Sequence, residues 1–401
     1  MSTNVFFDKI DEQTALLYNT NDGKYIVTKD NALIKIINNL YEPENIGSIR
    51  VSNWLNKKSK DVKWALDNDI IKRVSSIEKP IILLPILNLQ DDITKEDRDG
   101  IAGRLRSMAS KTKYISGAHI RLSNIIENID KEKTMNRNHA ASQYPCPAYD
   151  SDIRQMSLKT LYAILKNLQL TSISVVDIIC SSSYFEGTEY YAFERILNSF
   201  SFAYRIHMYE DDFNNISKWF NIKKNIIKAE LNIYSDVYSE QNETEITIGN
   251  DCKIKYIRLV YKESDIVGHE HMALLPVWTW ENIEFFKKNV WLNNNDISST
   301  VTNFNSIFRN QKLNANFFGV IDIDTCGNVF SHGAKSLLSN VHEQKFSLAK
   351  VVAHEFVENN TWRFTRNLLK NCMECSFRYL CPPVSIPELL CKDTKMCNIE
   401  H

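Results

Sequence analysis

From residue 80 onward, short β-branched runs alternate with longer helical ones. That alternation limits the fold more than any other feature of the chain. Ala118 to Leu122, Ile173 to Ile179, Tyr204 to Met208, Glu230 to Tyr234, Ile257 to Tyr261 and Phe317 to Ile323 read as strands. Leu158 to Leu168 and Tyr191 to Phe200 read as helices between them. Repetition of this kind packs helices on a mostly parallel sheet, as an open layer or a barrel. About six strands are too few to close an eight-fold ring. The expected class is therefore α/β with a partial (β/α) barrel over residues 79–315. The polar, proline-punctuated stretch Asn124 to Asp152 follows the first strand as a long loop, the position at which barrels carry their chemistry.

The flanks read differently. Over residues 1–78, Ala15 to Tyr18 and Lys24 to Thr28 are strand candidates joined by Asn-Asp-Gly at 21–23, a strong hairpin signal. Ile34, Ile36, Ile37 and Leu40 recur near helical spacing, as do Val62, Leu66, Ile70 and Ile71, and Ile49 to Val51 is a further short strand candidate. The result is a small α+β unit. Residues 316–401 hold a hairpin from Val320 to Phe330 turning through Asp324 to Gly327, a helix near Ser347 to Asn359, and a cysteine-rich tail.

Five of the nine cysteines fall between Cys372 and Cys397. Cys372, Cys375 and Cys381 form C-x2-C-x5-C, close enough for one irregular segment to aim several thiolates at one metal centre. Cys397 or Cys391 can supply a fourth. Thiolates are soft ligands suited to zinc or an iron–sulfur cluster. Pro382 and Pro383 stiffen the chain after the third ligand.

Composition narrows the context. At 401 residues, 43% hydrophobic and 24% charged, the chain can bury a real core. A net charge of −1 gives no field to attract nucleic acid or an anionic membrane. Lys57–Lys58 and Lys223–Lys224 read as solvated faces. The N-terminal stretch has no basic-then-apolar signal pattern, and the longest apolar run, Pro80 to Leu87, is too short to span a bilayer. The expectation is a cytoplasmic protein, where clustered cysteines bind metal rather than pair. With 11 glycines and no two adjacent, no phosphate-cradling loop for ATP or NAD is visible.

The cysteine spacing, a D-x-x-G-x-V hairpin at 324–329 and Trp362-Arg363 in the expected preceding helix together resemble a SPASM domain. LLYNTNDGKY at 16–25, PIILLPILNLQ at 80–90 and LCPPVSIPELL at 380–390 resemble the pseudo-radical-SAM proteins of Bacteroidetes peptide-maturation systems, which handle GG-type precursors. The resemblance implies a partial barrel of radical SAM type between an N-terminal winged-helix-like domain and a C-terminal SPASM-like domain. The small N-terminal module would then bind a leader peptide by adding a strand to a sheet edge.

It also implies one [4Fe–4S] cluster, held by Cys372, Cys375, Cys381 and Cys397, with Cys391 as the alternative fourth ligand and zinc as the alternative metal. A second cluster is not expected, because Ser385 stands where a further cysteine belongs and His332 stands six residues after Cys326 in place of another. A radical SAM enzyme needs C-x3-C-x2-C in the loop after the first strand. Here Asn124 to Asp152 holds Cys146 alone, which reads as a leftover thiol. The glycine-rich stretch expected after the second strand is Ser181-Ser-Ser-Tyr-Phe-Glu-Gly187. SAM, and any catalytic residue set, is therefore not expected.

The function implied is that of a non-catalytic accessory or scaffold protein in maturation of a ribosomally synthesised peptide. Its partners would be the precursor peptide, an active radical SAM maturase, or both. The alternative is an electron-transfer or catalytic iron–sulfur protein using the retained cluster.

Three other constellations read as structural. His269-Glu-His271 has no recognisable partners for a metal. Asp322 and Asp324 read as turn-capping carboxylates rather than a magnesium site. Trp278 and Trp280, with Leu275 and Val277, read as core or interface.

Overall fold

The structure is a computed structural model and describes residues 1–51, 59–74, 82–85, 112–123, 155–222, 229–236, 246–248, 252–266, 273–279, 281–334, 336–359, 361–390 and 395–399. The 124–152 loop with Cys146, together with Cys391, His269, His271, Trp280 and the two lysine pairs, lies outside the described residues.

The chain begins with a three-stranded antiparallel sheet in the order β1 (Val5–Lys9), β2 (Ala15–Asn19), β3 (Tyr25–Thr28). Tyr18 pairs with Tyr25 across the expected turn, where Gly23 takes φ 74°, a conformation costly for other residues. The sheet is covered on both faces. Val5, Phe7, Ala15 and Leu17 face the helices that follow, whereas Phe6, Leu16 and Tyr18 face Phe377, Leu380, Cys381 and Ile399 of the tail. Double coverage erases the alternation by which strands are usually read, so β1 escapes the sequence reading.

Two helices complete the N-terminal unit. α1 (Asn31–Tyr41) starts where the Asp30 carboxylate accepts the Ala32 N–H at 2.7 Å. α2 (Lys60–Asp67) starts where Ser59 Oγ accepts the Val62 N–H at 2.9 Å. Ile70 and Ile71 lie past the end of α2 but are buried. Ile49 to Val51 forms no strand. Ile49 and Val51 pack against the N-terminal core, so their apolar character serves packing rather than pairing.

The central sheet follows the expected strand–helix alternation: β4 (Gly117–Arg121), α3 (Leu158–Leu168), β5 (Val175–Ile179), α4 (Gly187–Asn198), β6 (Ala203–Tyr209), α5 (Glu210–Ile222), β7 (Ala229–Ser235), β8 (Ile246–Ile248), β9 (Cys252–Val260) and β10 (Ala273–Pro276). After the helices α6 (Ile283–Asn289), α7 (Asn294–Ser299) and α8 (Phe304–Lys312), the chain returns to the sheet through β11 (Val320–Ile323), β12 (Asn328–Ser331) and β13 (Leu337–Asn340). The strand order is β10-β9-β7-β6-β5-β4-β11-β12-β13, with β8 on β9. Pairing is parallel from β10 to β11 and antiparallel for β12, β13 and β8. The fold is thus a mainly parallel α/β sheet whose path, among the described residues, does not close. His119 of β4 and Pro276 of β10 nevertheless line one cavity, although four strands separate them, so the sheet curls.

The two faces of this sheet differ in chemistry. On one, Ala118, Ile120, Val176, Ile178, Ile206, Leu231 and Ile254 meet Leu161, Leu165 and Leu168 of α3 and Phe193 and Leu197 of α4. Each such aliphatic side chain contributes about 1.5–3 kcal/mol when fully buried. The alternate positions put His119, Asp177, Arg205 and His207 on the other face. β11 joins β4 beside Gly319, whose φ is 76° and whose carbonyl accepts the Ser116 N–H at 2.8 Å. Phe317 to Gly319, expected within the strand, form the turn that precedes it.

Beyond β13, α9 (Leu348–His354) widens into a π-turn over Glu355–Asn359. Trp362 and Arg363 are not in this helix but in a separate short turn, Thr361–Arg363. The buried Glu355 carboxylate sets that turn by accepting the Trp362 N–H at 2.7 Å. A last short helix, α10 (Ile386–Leu390), lies in the cysteine-rich tail. Among the described residues, no helix is long and apolar enough to cross a membrane.

Candidate functional site

Cys372, Cys375, Cys381 and Cys397 all line one cavity of about 670 Å³, together with His119 and His332 from the polar face of the sheet. Two of the thiols sit in successive tight turns. The Cys375 N–H donates to the Cys372 carbonyl at 3.0 Å, and the Phe377 N–H donates to Cys375 Sγ at 3.4 Å. The Cys381 N–H then donates to the Phe377 carbonyl at 2.9 Å. Cys397 is brought to the group by its neighbour Asn398, whose N–H donates to the Leu292 carbonyl at 2.8 Å and whose side chain donates to the Lys287 carbonyl at 2.6 Å.

Buried asparagines hold the irregular tail between these points. Asn310 Nδ2 of α8 donates to the carbonyls of Tyr379 and Cys381 at 3.0 and 3.2 Å. Asn314 Nδ2 donates to those of Phe364 and Val384, both at 3.0 Å. A buried segment without regular structure needs such donors for its carbonyls.

The thiols form one electrostatic group. Burial pushes Cys381 up to about 12; Arg366 opposes that shift, and the other three cysteines add to it. Burial also raises Cys372 and Cys375; Arg366 opposes both, and Cys397 adds to both. Arg366 places Nη1 3.7 Å from Cys372 Sγ. Four thiols that would repel one another as thiolates suit a cation that takes the place of their protons. Ser385, at the position expected to lack a thiolate, caps α10 instead: its N–H and Oγ each donate to Glu388 Oε2 at 2.9 Å.

The 181–187 segment is tied down by hydrogen bonds to its neighbours. The Ser181 N–H donates to Ser123 Oγ at 2.7 Å, and the Ser182 N–H donates to Asp212 at 3.0 Å. Tyr184 Oη lies 2.8 Å from the Leu122 carbonyl. Cys326 lies in the hairpin turn, where Asp324 Oδ1 accepts its N–H at 2.9 Å and that of Asn328 at 2.8 Å. Asp324 is thus the turn cap it was expected to be. Trp278 is core, packed on Phe286 and Trp291.

Asp322 is not a turn cap, which corrects the expectation. It is fully buried, and Oδ1 accepts from Nδ1 of His119 at 2.8 Å and from Nδ1 of His332 at 3.0 Å. Sequence reasoning also missed the network beyond it. Asp177 Oδ2 lies 3.7 Å from His119 Nε2 and accepts from Arg205 Nη2 at 2.7 Å. Asp177 Oδ1 is 2.8 Å from His207 Nε2, and His207 Nδ1 is 2.9 Å from Tyr234 Oη. Burial works to raise Asp177, but the hydrogen bond from His207 and the charges of His119 and His207 outweigh it and bring the carboxyl to about 2. Asp322 is likewise buried, and His332 and His119 hold it below the usual carboxylate range. The signal that could have found this network is the period of two. His119, Asp177, Arg205 and His207 each interrupt a β-branched strand at positions on one face.

No protein-family model matches the chain, and no curated protein matches it. Among solved structures, that of Streptococcus suis SuiB bound to precursor peptide SuiA is similar at 10% identity. The match covers 97% of this chain and 96% of that one, with a TM-score of 0.40. A structure of Streptococcus suis SuiB is similar at 10% identity and the same coverage, with a TM-score of 0.32.

Proposed function

We propose that this chain is a non-catalytic accessory protein of ribosomal-peptide maturation. In this reading it is a relative of radical SAM enzymes that holds one [4Fe–4S] cluster on Cys372, Cys375, Cys381 and Cys397 and binds a precursor peptide at its N-terminal sheet. The observation that carries the reading is the convergence of those four cysteines on one cavity beneath a curled, mainly parallel sheet.

The cluster is what the resemblance to a SPASM domain implies, and the same four thiolates suit one zinc ion as the alternative. A bound cluster would supply cross-linking of the tail and a redox-capable centre. This protein supplies the rest: the Arg366 side chain offsets the negative charge of the thiolates, and the Phe377 backbone N–H donates to one sulfur. The absence of catalysis rests on the single cysteine in 124–152 and on the 181–187 segment, whose Ser181 and Ser182 amides are taken up by Ser123 and Asp212.

Peptide binding rests on the sheet edge. β3 pairs with β2 on one side and, among the described residues, with no strand on the other. Its residues Tyr25 to Val27 are partly or fully exposed. Such an edge can take an added strand, with main-chain hydrogen bonds giving affinity. In the full reading the peptide is a leader segment, and the second partner is an active radical SAM maturase.

Hydrogen–deuterium exchange on the anaerobically purified chain tests this. Addition of the small peptide encoded beside its gene should slow exchange at residues 25–28. A peptide that binds without protecting β3 sinks the edge assignment. Absence of binding to both peptide and neighbouring maturase sinks the accessory role, and production of 5′-deoxyadenosine from SAM by the isolated chain sinks the non-catalytic claim.

A further inference from the structure

We infer a second metal site, chemically distinct from the cysteines: a divalent transition-metal ion held by the imidazoles of His119 and His332 and the carboxylate of Asp322. One ligand atom from each of the three lies within 4.8 Å of the other two. The three come from β4, from the turn after β12 and from β11. Register makes His119 and Asp322 direct neighbours across the β4–β11 pair. The His332 N–H donates to the Val320 carbonyl at 3.1 Å, which seats its ring against His119, with centroids 4.7 Å apart.

Both Nδ1 atoms aim at the same carboxylate oxygen, at 2.8 and 3.0 Å. Two imidazoles converging on one buried carboxylate form a ready three-donor face. Imidazole nitrogen with one carboxylate suits zinc, iron(II) or cobalt(II), whereas calcium and magnesium prefer all-oxygen shells. His119 and His332 both line the cavity, which gives an ion a path to this face. Structural zinc sites are closed by four protein ligands, whereas this face offers three and leaves a position for water.

An outer layer supports the donors. With Nδ1 of His119 on the metal, its Nε2–H faces Asp177 Oδ2, at 3.7 Å. Asp177 is itself fixed by Arg205 at 2.7 Å and His207 at 2.8 Å. A carboxylate behind a ligating histidine sets its tautomer and strengthens it as a ligand. Without an ion, the same atoms form a hydrogen-bonded His–Asp–His cluster, so the experiment must detect the metal itself.

The test uses the full chain under anaerobic conditions. Cadmium, a soft ion, is added first to occupy the thiolates, and cobalt(II) is then titrated while the visible spectrum is followed. One further cobalt should bind with ligand-field bands and without sulfur-to-cobalt charge transfer. Asp322→Asn and His332→Ala should each weaken that binding by at least about tenfold. Asp324→Asn, which touches only the hairpin turn, should leave it unchanged. Should both variants fail to fold, X-ray absorption on the cobalt-loaded wild-type chain replaces them and should report two imidazoles and no sulfur. Cobalt that binds equally well to folded Asp322→Asn, or only with charge-transfer bands, or without imidazole ligands, overturns the assignment.

Discussion

Arg366 and Glu388 form a two-point ion pair at the wall of the cysteine-lined cavity, with Nη1–Oε1 at 2.7 Å and Nη2–Oε2 at 3.3 Å. The side chains are only 10% and 15% exposed. Arg366 also donates Nε to the Pro382 carbonyl at 2.5 Å, so one residue ties α10, the proline pair and Cys372 together. Removing one partner of a buried pair leaves an uncompensated charge and costs about 3–5 kcal/mol. Glu388→Ala should therefore lower the urea midpoint of the metal-free chain by an equivalent amount. A midpoint within error of wild type would show that solvent already screens the pair.

The four cysteines can be ranked by metal content. Cys381→Ser and Cys397→Ser should each reduce iron from about four per chain toward none and remove the brown colour of the reconstituted protein. Cys391→Ser should retain both. A colourless wild-type chain carrying one zinc would replace the cluster with a zinc site, and iron lost on Cys391→Ser would move the fourth ligand.

Acid should destabilise the protein in two stages. Burial lowers the His207 pKa, against the opposing bond to Asp177. The unfolded state then binds the proton more readily, and stability falls as pH drops below about 6.5 toward the folded value. Asp177 is depressed from 3.8 to about 2 in the folded state. Its contribution is present above pH 3.8 and is lost as pH falls through about 2; the size is on the order of 2 kcal/mol. Urea midpoints measured across pH should trace both stages. Asp177→Asn should shrink the lower one, leaving the part that Asp322 carries, and should start from a less stable protein at neutral pH.

Gly319 controls the seam on which His119 and Asp322 meet. Its φ of 76° alone costs an alanine roughly 1–2 kcal/mol. An added Cβ would also meet the Tyr114 carbonyl oxygen at 2.3 Å. Gly319→Ala should thus destabilise by at least about 2 kcal/mol and shift the His119 and His332 resonances in NMR spectra. A stable variant with unmoved histidine signals would show that the seam relaxes freely.

Most strands of the central sheet were legible, because β-branched runs such as Ile173 to Ile179 carry both period and propensity. β8 and β10 were not, since three or four residues give too little period to read. β1 was hidden because two packing surfaces made Val5, Phe6 and Phe7 apolar in succession and left no alternation to read. Cys372, Cys375 and Cys381 were legible as a group from spacing, whereas the arrival of Cys397 at the same cavity depends on Asn398 bonding to α6, a long-range contact that no local pattern encodes. His119, Asp177 and Asp322 show singly as polar breaks in apolar strands, but no local pattern joins them into one group. They lie far apart in sequence and meet only through strand register.

The N-terminal sheet has its second face covered by Phe377, Leu380 and Ile399. Asp8 and Arg378 lock that contact at 2.9 Å. During synthesis, then, these strands leave the ribosome long before the tail does, and Phe6, Leu16 and Tyr18 stay wet until it follows. Until the tail arrives, the nascent chain carries a greasy, half-finished sheet, and a tail pinned by metal would arrive already shaped to cover it.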